Sequence, residues 1–168
     1  MGGTTLMIVL RLIHIVLGVF WAGAAAMVAW FLLPVVNGAG PSGLPIMAGL
    51  MNQRKLSMWL GIAGGLAVLS GLALYARDSM ISQGEFARSS GGMVYGIGAV
   101  TAVIAAILGS GVSGRAGRRI GALASQGPPS DAVRAEIATL TARATRATQW
   151  SAVMLLITVI AMAVARYF

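Results

Sequence analysis

The chain contains no cysteine, so disulfide bridges, thiolate metal sites and thiol catalysis are all excluded. Charge is scarce as well, because Lys, Arg, Asp and Glu together make up 10% of the 168 residues, against roughly a quarter in soluble domains. Apolar residues predominate instead: hydrophobic residues account for 58% of the chain, and its mean hydropathy is +0.86. This composition predicts that most of the chain lies in lipid rather than in water.

Four apolar stretches approach the roughly 20 residues that a helix needs to cross the ~30 Å hydrocarbon layer. They cover residues 6–33, 56–76, 93–112 and 150–165. None has the alternating polarity of a spanning strand, so we predict an all-α fold, a single membrane domain over residues 1–168 built as a bundle of four transmembrane helices. No basic segment precedes the first stretch, and we therefore expect it to be retained as a span rather than removed as a signal peptide.

The segment between the last two spans, residues 113–149, has the periodicity of a helix rather than of a loop. Ser130 follows two prolines and is a good N-cap, so one unbroken helix is predicted from there into the fourth span. The third span can likewise continue to Ala124. Together the two extensions predict a helical hairpin that protrudes from the membrane and is held by an apolar stripe of Val133, Ile137, Leu140, Ala144 and Ala147.

The remaining connections are predicted to be short. Pro34 should end the first helix, because proline lacks the backbone N–H that a helix interior requires. A glycine- and proline-rich turn over residues 37–43 and a short interfacial helix over residues 46–52 would then lead to the second span. Residues 77–92 are polar and are expected to form an exposed loop.

Basic residues are distributed unequally between the two sides of the predicted bundle. Eight of them flank the side of the hairpin, and four flank the other side: Arg54, Lys55, Arg115, Arg118, Arg119, Arg134, Arg143 and Arg146 against Arg11, Arg77, Arg88 and Arg166. Because flanking Lys and Arg favour the cytoplasmic side, we predict a cytoplasmic hairpin and two periplasmic termini in a bacterial inner membrane.

The few acidic residues all lie outside the predicted spans. They are Asp78, Glu85, Asp131 and Glu136. Proton-coupled transport usually places ionisable groups inside the membrane, and hydrolysis needs a nucleophile beside a base, for which no paired residues are visible. Nucleotide-binding and metalloprotease motifs are absent too. The sequence therefore predicts a non-catalytic protein with no catalytic residues.

His14 is the one histidine of the chain and lies inside the first predicted span, three residues after Arg11. An ionisable residue at membrane depth is by default a functional candidate. Its imidazole could bind copper, a haem iron or the magnesium of a chlorophyll-type pigment. Alternatively, His14 hydrogen-bonds a neighbouring helix while Arg11 extends to the lipid headgroups. Arg11 and His14 are also the only candidates for a small transporter's polar pathway.

Small residues crowd the spans and allow close helix packing in lipid. The positions singled out as a helix-packing or partner face are Gly18, Ala22, Gly61, Gly65 and Gly109, of which Gly61 and Gly65 form a GxxxG pair. One interpretation is packing within the bundle, and the other is a docking face for another subunit.

Basic side chains near the membrane boundary are candidates for contact with anionic lipid headgroups. The predicted set is Arg11, Arg115, Arg118 and Arg119. Nucleic acid is not an expected partner, because the basic segment lacks the aromatic residues on which bases stack.

The stretch from Leu12-Ile-His14 through Phe20-Trp21-Ala-Gly23 to Leu33-Pro34 resembles the first span of small bacterial membrane proteins related to the copper-resistance D (CopD-like) group. Those proteins share a histidine near the start of a helix, a Trp-x-Gly one or two turns later and a proline at its end. The resemblance covers about 30 residues and implies that His14 corresponds to the family's metal-associated position, in a protein that handles copper or haem.

The function expected from these features is that of a non-catalytic accessory or structural subunit, or an assembly factor, of a multi-subunit respiratory or photosynthetic complex of the bacterial inner membrane. Its expected partners are the bilayer, anionic lipids and other membrane subunits. A CopD-like metal carrier that uses His14 and a small transporter are the two alternatives.

Overall fold

The computed structural model describes residues 2–168, and within that range every regular element is helical. Four helical units are long and apolar enough to cross a membrane, and we refer to them as the first to fourth spans: Thr4–Gly38, Leu56–Ile81, Ser90–Ala124 and Asp131–Tyr167. The predicted all-α bundle of four spanning helices is therefore confirmed, and the architecture is that of a multi-pass membrane protein.

The α-helices follow the chain in the order α1 (Gly2–Met27), α2 (Leu33–Gly38), α3 (Gly43–Ala48), α4 (Leu56–Ile81), α5 (Glu85–Arg88), α6 (Ser90–Ala106), α7 (Gly114–Ala124) and α8 (Asp131–Val164). Three π-helical segments, Val28–Leu32, Gly49–Gln53 and Ile107–Ser113, continue the helices beside them. The first span thus consists of α1, a π segment and α2, and the third span of α6, a π segment and α7.

The spans pack as two antiparallel pairs around a core of small residues. The helix α1 packs on α4, α6 packs on α8, and α8 also contacts α1. The buried cluster between them contains Trp21, Ala25, Ala63, Ala67, Ala102, Ala105 and Leu155. Five of these seven are alanine, which lets the backbones approach closely where lipid supplies no hydrophobic drive for association.

Pro34 does not end the first helix, contrary to prediction. The chain stays helical to Gly38, and the π segment Val28–Leu32 lies immediately before the proline. At the end of that segment Leu33 donates its backbone N–H to the carbonyl of Val28, five residues earlier. Local adjustments of this kind let a membrane helix continue past a proline, because they change which carbonyls require a partner.

The connection between the second and third spans is shorter than predicted. The helix α4 runs to Ile81, and α6 starts at Ser90, so much of residues 77–92 is helical. The Phe86 ring on α5 is half-buried between two tyrosines, 5.4 Å from the Tyr75 ring and 6.1 Å from the Tyr95 ring, measured between centroids. The loop is thus tied to the ends of both spans, and expecting it to be exposed throughout was wrong.

The hairpin has the predicted form. The helix α8 is continuous over 34 residues, and the Ser130 hydroxyl caps it by accepting the backbone N–H of Val133. The third span extends to Ala124, and α7 packs on α8 with Leu123 buried between them. A short helix is present where one was predicted, as α3 and the π segment after it, and it starts at Gly43, three residues before the predicted residue 46.

Candidate functional site

His14 is held between the first two spans by a hydrogen bond to the backbone. Its Nδ1 lies 2.8 Å from the carbonyl oxygen of Ala67 on α4. The same carbonyl accepts the hydroxyl of Ser70, which is buried, at 3.1 Å. Because a carbonyl only accepts, Nδ1 must be the donor, and a neutral ring then has its lone pair on Nε2.

Two glycines of α4 make room for two rings of α1. A Cβ atom added to Gly71 would lie 2.6 Å from Cε1 of His14, and one added to Gly64 would lie 2.7 Å from Cε2 of Trp21. His14 and Trp21 are seven residues apart, as are Gly64 and Gly71. The two contacts between a ring and a glycine therefore lie about two helical turns apart on both helices. Side chains larger than hydrogen at either glycine would displace the ring.

The chemistry available at His14 is set by this packing. Among residues 2–168 no group of three or more His, Asp or Glu side chains is placed to hold a metal ion. Arg11 is exposed, whereas His14 is half-buried, and Arg11 takes part in none of the ion pairs found in the described chain. His14 therefore offers one hydrogen bond to the bundle and one ring nitrogen, Nε2, for which the described chain provides no hydrogen-bond partner.

The other pair of spans is joined by hydroxyl groups that the sequence analysis did not single out. Thr101 and Thr158 share a hydrogen bond of 2.8 Å, and the buried Ser151 donates to the carbonyl of Ala105 at 2.9 Å. Nearer the hairpin, Ser113 and Thr148 share a third bond of 2.9 Å. Serine and threonine at membrane depth in otherwise apolar helices were the signal that could have revealed these contacts.

A cleft of about 260 Å³ opens at the base of the hairpin, between α7 and α8. Three arginines line it: Arg115, Arg119 and Arg143. The rest of the wall is apolar and includes Val112, Ala116 and Leu140.

One of these arginines has an acidic partner. The Nε of Arg119 donates to the Oε1 of Glu136 at 2.8 Å, and the two opposite charges form an ion pair. Two of the four arginines predicted to contact headgroups, Arg115 and Arg119, line the cleft, whereas Arg118 and Arg11 do not. Arg143 lines it as well, from α8.

The small residues singled out from the sequence fall into two groups. Ala22 packs against the core, and a Cβ on Gly109 would lie 3.4 Å from the Ser151 hydroxyl, so both positions face neighbouring helices. In contrast, a Cβ added to Gly18, Gly61 or Gly65 would meet no atom within 4 Å. Gly61 and Gly65 are also exposed, and their GxxxG pair therefore lies on the outer surface of the bundle.

Three features of the structure could bind a ligand or a partner: the Nε2 of His14, the outer face of α4 and the arginine cleft. Each is built from residues of neighbouring turns or neighbouring helices, so each is fixed by the packing of the bundle. Comparisons of the chain with family models, with curated proteins and with solved structures find no match.

Proposed function

We propose that the chain is a non-catalytic accessory subunit or assembly factor of a multi-subunit complex in the bacterial inner membrane, and that a partner helix docks on the outer face of α4. The observation that supports this most directly is the open GxxxG pair. Gly61 and Gly65 are exposed, and a Cβ atom added to either would meet no atom within 4 Å.

Other glycines of the same helix show how a glycine can accommodate a side chain of a neighbouring helix. On its inner face, Gly64 and Gly71 receive the rings of Trp21 and His14. On the outer face, Ile62 and Leu66 are each 44% exposed and stand beside the glycine pair as ridges beside a groove. Small residues in such a groove let a second helix approach to backbone contact, which is how membrane helices associate without hydrophobic drive.

Polar groups within the spans also favour a structural role. The hydroxyls of Thr101, Thr158 and Ser151 bond to neighbouring helices or to their own backbone, and the Nδ1 of His14 bonds to α4. Groups used in this way hold helices together, which supports a structural role for them.

The proposed orientation places the hairpin in the cytoplasm and both termini in the periplasm. Eight Lys and Arg residues on the hairpin side against four on the other support it. Three tryptophans at the hairpin end, Trp30, Trp59 and Trp150, are exposed and suit a membrane interface. Single cysteines at Ser125 and Ser82 should be labelled from opposite sides, Ser125→Cys from the cytoplasm and Ser82→Cys from the periplasm, and the reverse pattern would refute this orientation.

The docking proposal is tested by isolating tagged protein from its native membrane in a mild detergent and identifying what accompanies it. Gly61→Leu with Gly65→Leu fills the groove and should abolish co-purification, while the bundle itself stays folded. Gly23→Leu is the matched control, because Gly23 is also exposed and its Cβ would also meet nothing within 4 Å. Loss of the partner in both variants, or in neither, would contradict the proposal.

A second candidate function is a metal- or haem-handling protein with His14 as ligand. The observation that favours it is the hydrogen bond from Nδ1 to a backbone carbonyl, the arrangement that commonly orients a metal-binding imidazole. Purified protein would then carry one metal or pigment per chain, and His14→Ala would remove it, as followed by metal analysis and the visible absorption spectrum. A wild-type protein without bound metal or colour would rule this candidate out.

A further inference from the structure

The cleft at the base of the hairpin holds an unbalanced positive charge. Arg115 and Arg119 are four residues apart on α7 and therefore share one face of that helix, where like charges repel. Arg143 reaches the same cleft from α8. Glu136 pairs with Arg119, but no acidic group of residues 2–168 forms an ion pair with Arg115 or Arg143. Three arginines against one glutamate leave two positive charges that a bound anion would neutralise.

The wall of the cleft is suited to an amphiphile rather than to a simple ion. Val112, Ala116 and Leu140 line the same cleft as the three arginines, so a ligand there meets both positive charge and apolar side chains. The arginine stems add further apolar surface beside the charged groups. A phosphate attached to an apolar tail would satisfy both parts of the wall.

The depth of the cleft also matches a lipid headgroup. Val112 is the last residue of the apolar stretch that begins at residue 93, and Arg115 follows it by three residues, or ~4.5 Å along the helix. The headgroup region extends roughly 5–8 Å beyond the hydrocarbon on each side of a bilayer. If the hydrocarbon layer ends at Val112, the backbone of Arg115 therefore lies within or close to the headgroup region.

We propose that this cleft is a binding site for the phosphate of an anionic phospholipid from the leaflet on the hairpin side. Arg115 and Arg143 donate to the phosphate oxygens, and Arg119, fixed by Glu136, forms the rim. Guanidinium suits this role because its planar fork binds phosphate through two parallel hydrogen bonds and is only weakly hydrated. The site is independent of the docking face on α4.

The test compares two double variants that lose the same charge from the same two helices. Arg115→Gln with Arg143→Gln removes both unpaired arginines of the cleft. Arg118→Gln with Arg146→Gln is the matched control, because each of these exposed arginines lies three residues after a cleft arginine and neither lines the cleft. Delipidated full-length protein is mixed with phosphatidylglycerol, phosphatidylcholine or inorganic phosphate. Bound lipid is counted by native mass spectrometry, and the unfolding temperature is recorded.

The wild-type protein should bind one phosphatidylglycerol in preference to phosphatidylcholine and unfold at a higher temperature with it. The cleft variant should lose about thirtyfold in that preference, equivalent to ~1 kcal/mol for each arginine, while the control variant keeps it. An equal loss in both variants would show a diffuse attraction and overturn the proposal. Equal stabilisation by inorganic phosphate would assign the cleft to a free anion instead. A wild-type protein without preference would refute the site even if the cleft variant failed to fold.

Discussion

The two antiparallel pairs of spans are held together by different means. In the first pair, two rings on α1 fill the spaces left by two glycines on α4, and a hydrogen bond from His14 to Ala67 crosses the interface. In the second pair, hydroxyl groups bond across the interface at three levels, from Thr101 and Thr158 to Ser113 and Thr148. The first interface therefore depends on the fit of rings against glycines, and the second on polar bonds of modest strength.

This difference implies that the two interfaces respond differently to truncation. A ring that fills a gap makes dozens of contacts, which are lost together when it is removed. A hydroxyl bond within a membrane contributes on average only about 0.6 kcal/mol, because alternative partners are available in the unfolded chain. Substitutions of each kind can therefore separate the two mechanisms.

Trp21→Ala should have the largest effect of the changes considered. Trp21 is 8% exposed, and its removal would leave a cavity above Gly64, so we expect a loss of about 3 kcal/mol in the free energy of unfolding. Unfolding in mixed detergent micelles, followed by circular dichroism, would measure it. Trp59→Ala is the control, because Trp59 is 54% exposed and should cost far less. Equal losses would mean that the ring in the gap has no special role.

Substitutions of Thr101 and Thr158 should have a smaller effect on the free energy of unfolding, and the effect of each should depend on the presence of the other. Thr101→Val and Thr158→Val, combined in a double-mutant cycle, should give a coupling energy of about 0.6–1.7 kcal/mol. Thr139 is exposed and bonds within its own helix, so a cycle of Thr101→Val with Thr139→Val should give no coupling. A coupling energy between Thr101 and Thr158 as large as the loss caused by Trp21→Ala would remove the distinction between the two interfaces.

The smallest effect is expected at the ion pair of the hairpin. Arg119 and Glu136 are 54% and 42% exposed, and an ion pair of that exposure contributes little once water and salt screen it. Glu136→Gln should therefore leave the unfolding temperature unchanged at moderate salt. A clear decrease in the unfolding temperature that disappears at high salt would show that the hairpin relies on this ion pair. Polar contacts would then stabilise the hairpin as well as the second pair of spans.

The sequence predicted most of the fold because the strongest signals, long apolar stretches and helical periodicity, are local. The unbroken α8 and the extension of the third span follow from the cap at Ser130 and from apolar spacing, and both are observed. Pro34 was misjudged because a local rule on proline ignores the π segment before it, whose carbonyls take different partners. The loop after the second span was misjudged because its anchor, Phe86, packs on residues of two other helices.

The sites were less predictable, because they depend on contacts between distant segments. The partner of His14 is a backbone carbonyl, which no residue type reveals, and Gly71 is recognisable as its counterpart only once the register of α1 against α4 is known. Likewise, the arginines of the hairpin look equivalent in the sequence. Packing separates Arg143, which lines the cleft, from Arg118, which does not.

The continuity of α8 has a mechanical consequence. Its 34 residues include no glycine, no proline and no π segment, the usual sites of a bend. At 1.5 Å per residue it is a rod of ~51 Å, of which ~20 Å extends beyond a 30 Å hydrocarbon layer. The third span, by contrast, contains the π segment Ile107–Ser113 and four glycines between residues 109 and 117. A sideways force on the hairpin would therefore turn α8 as a lever while its neighbour bends.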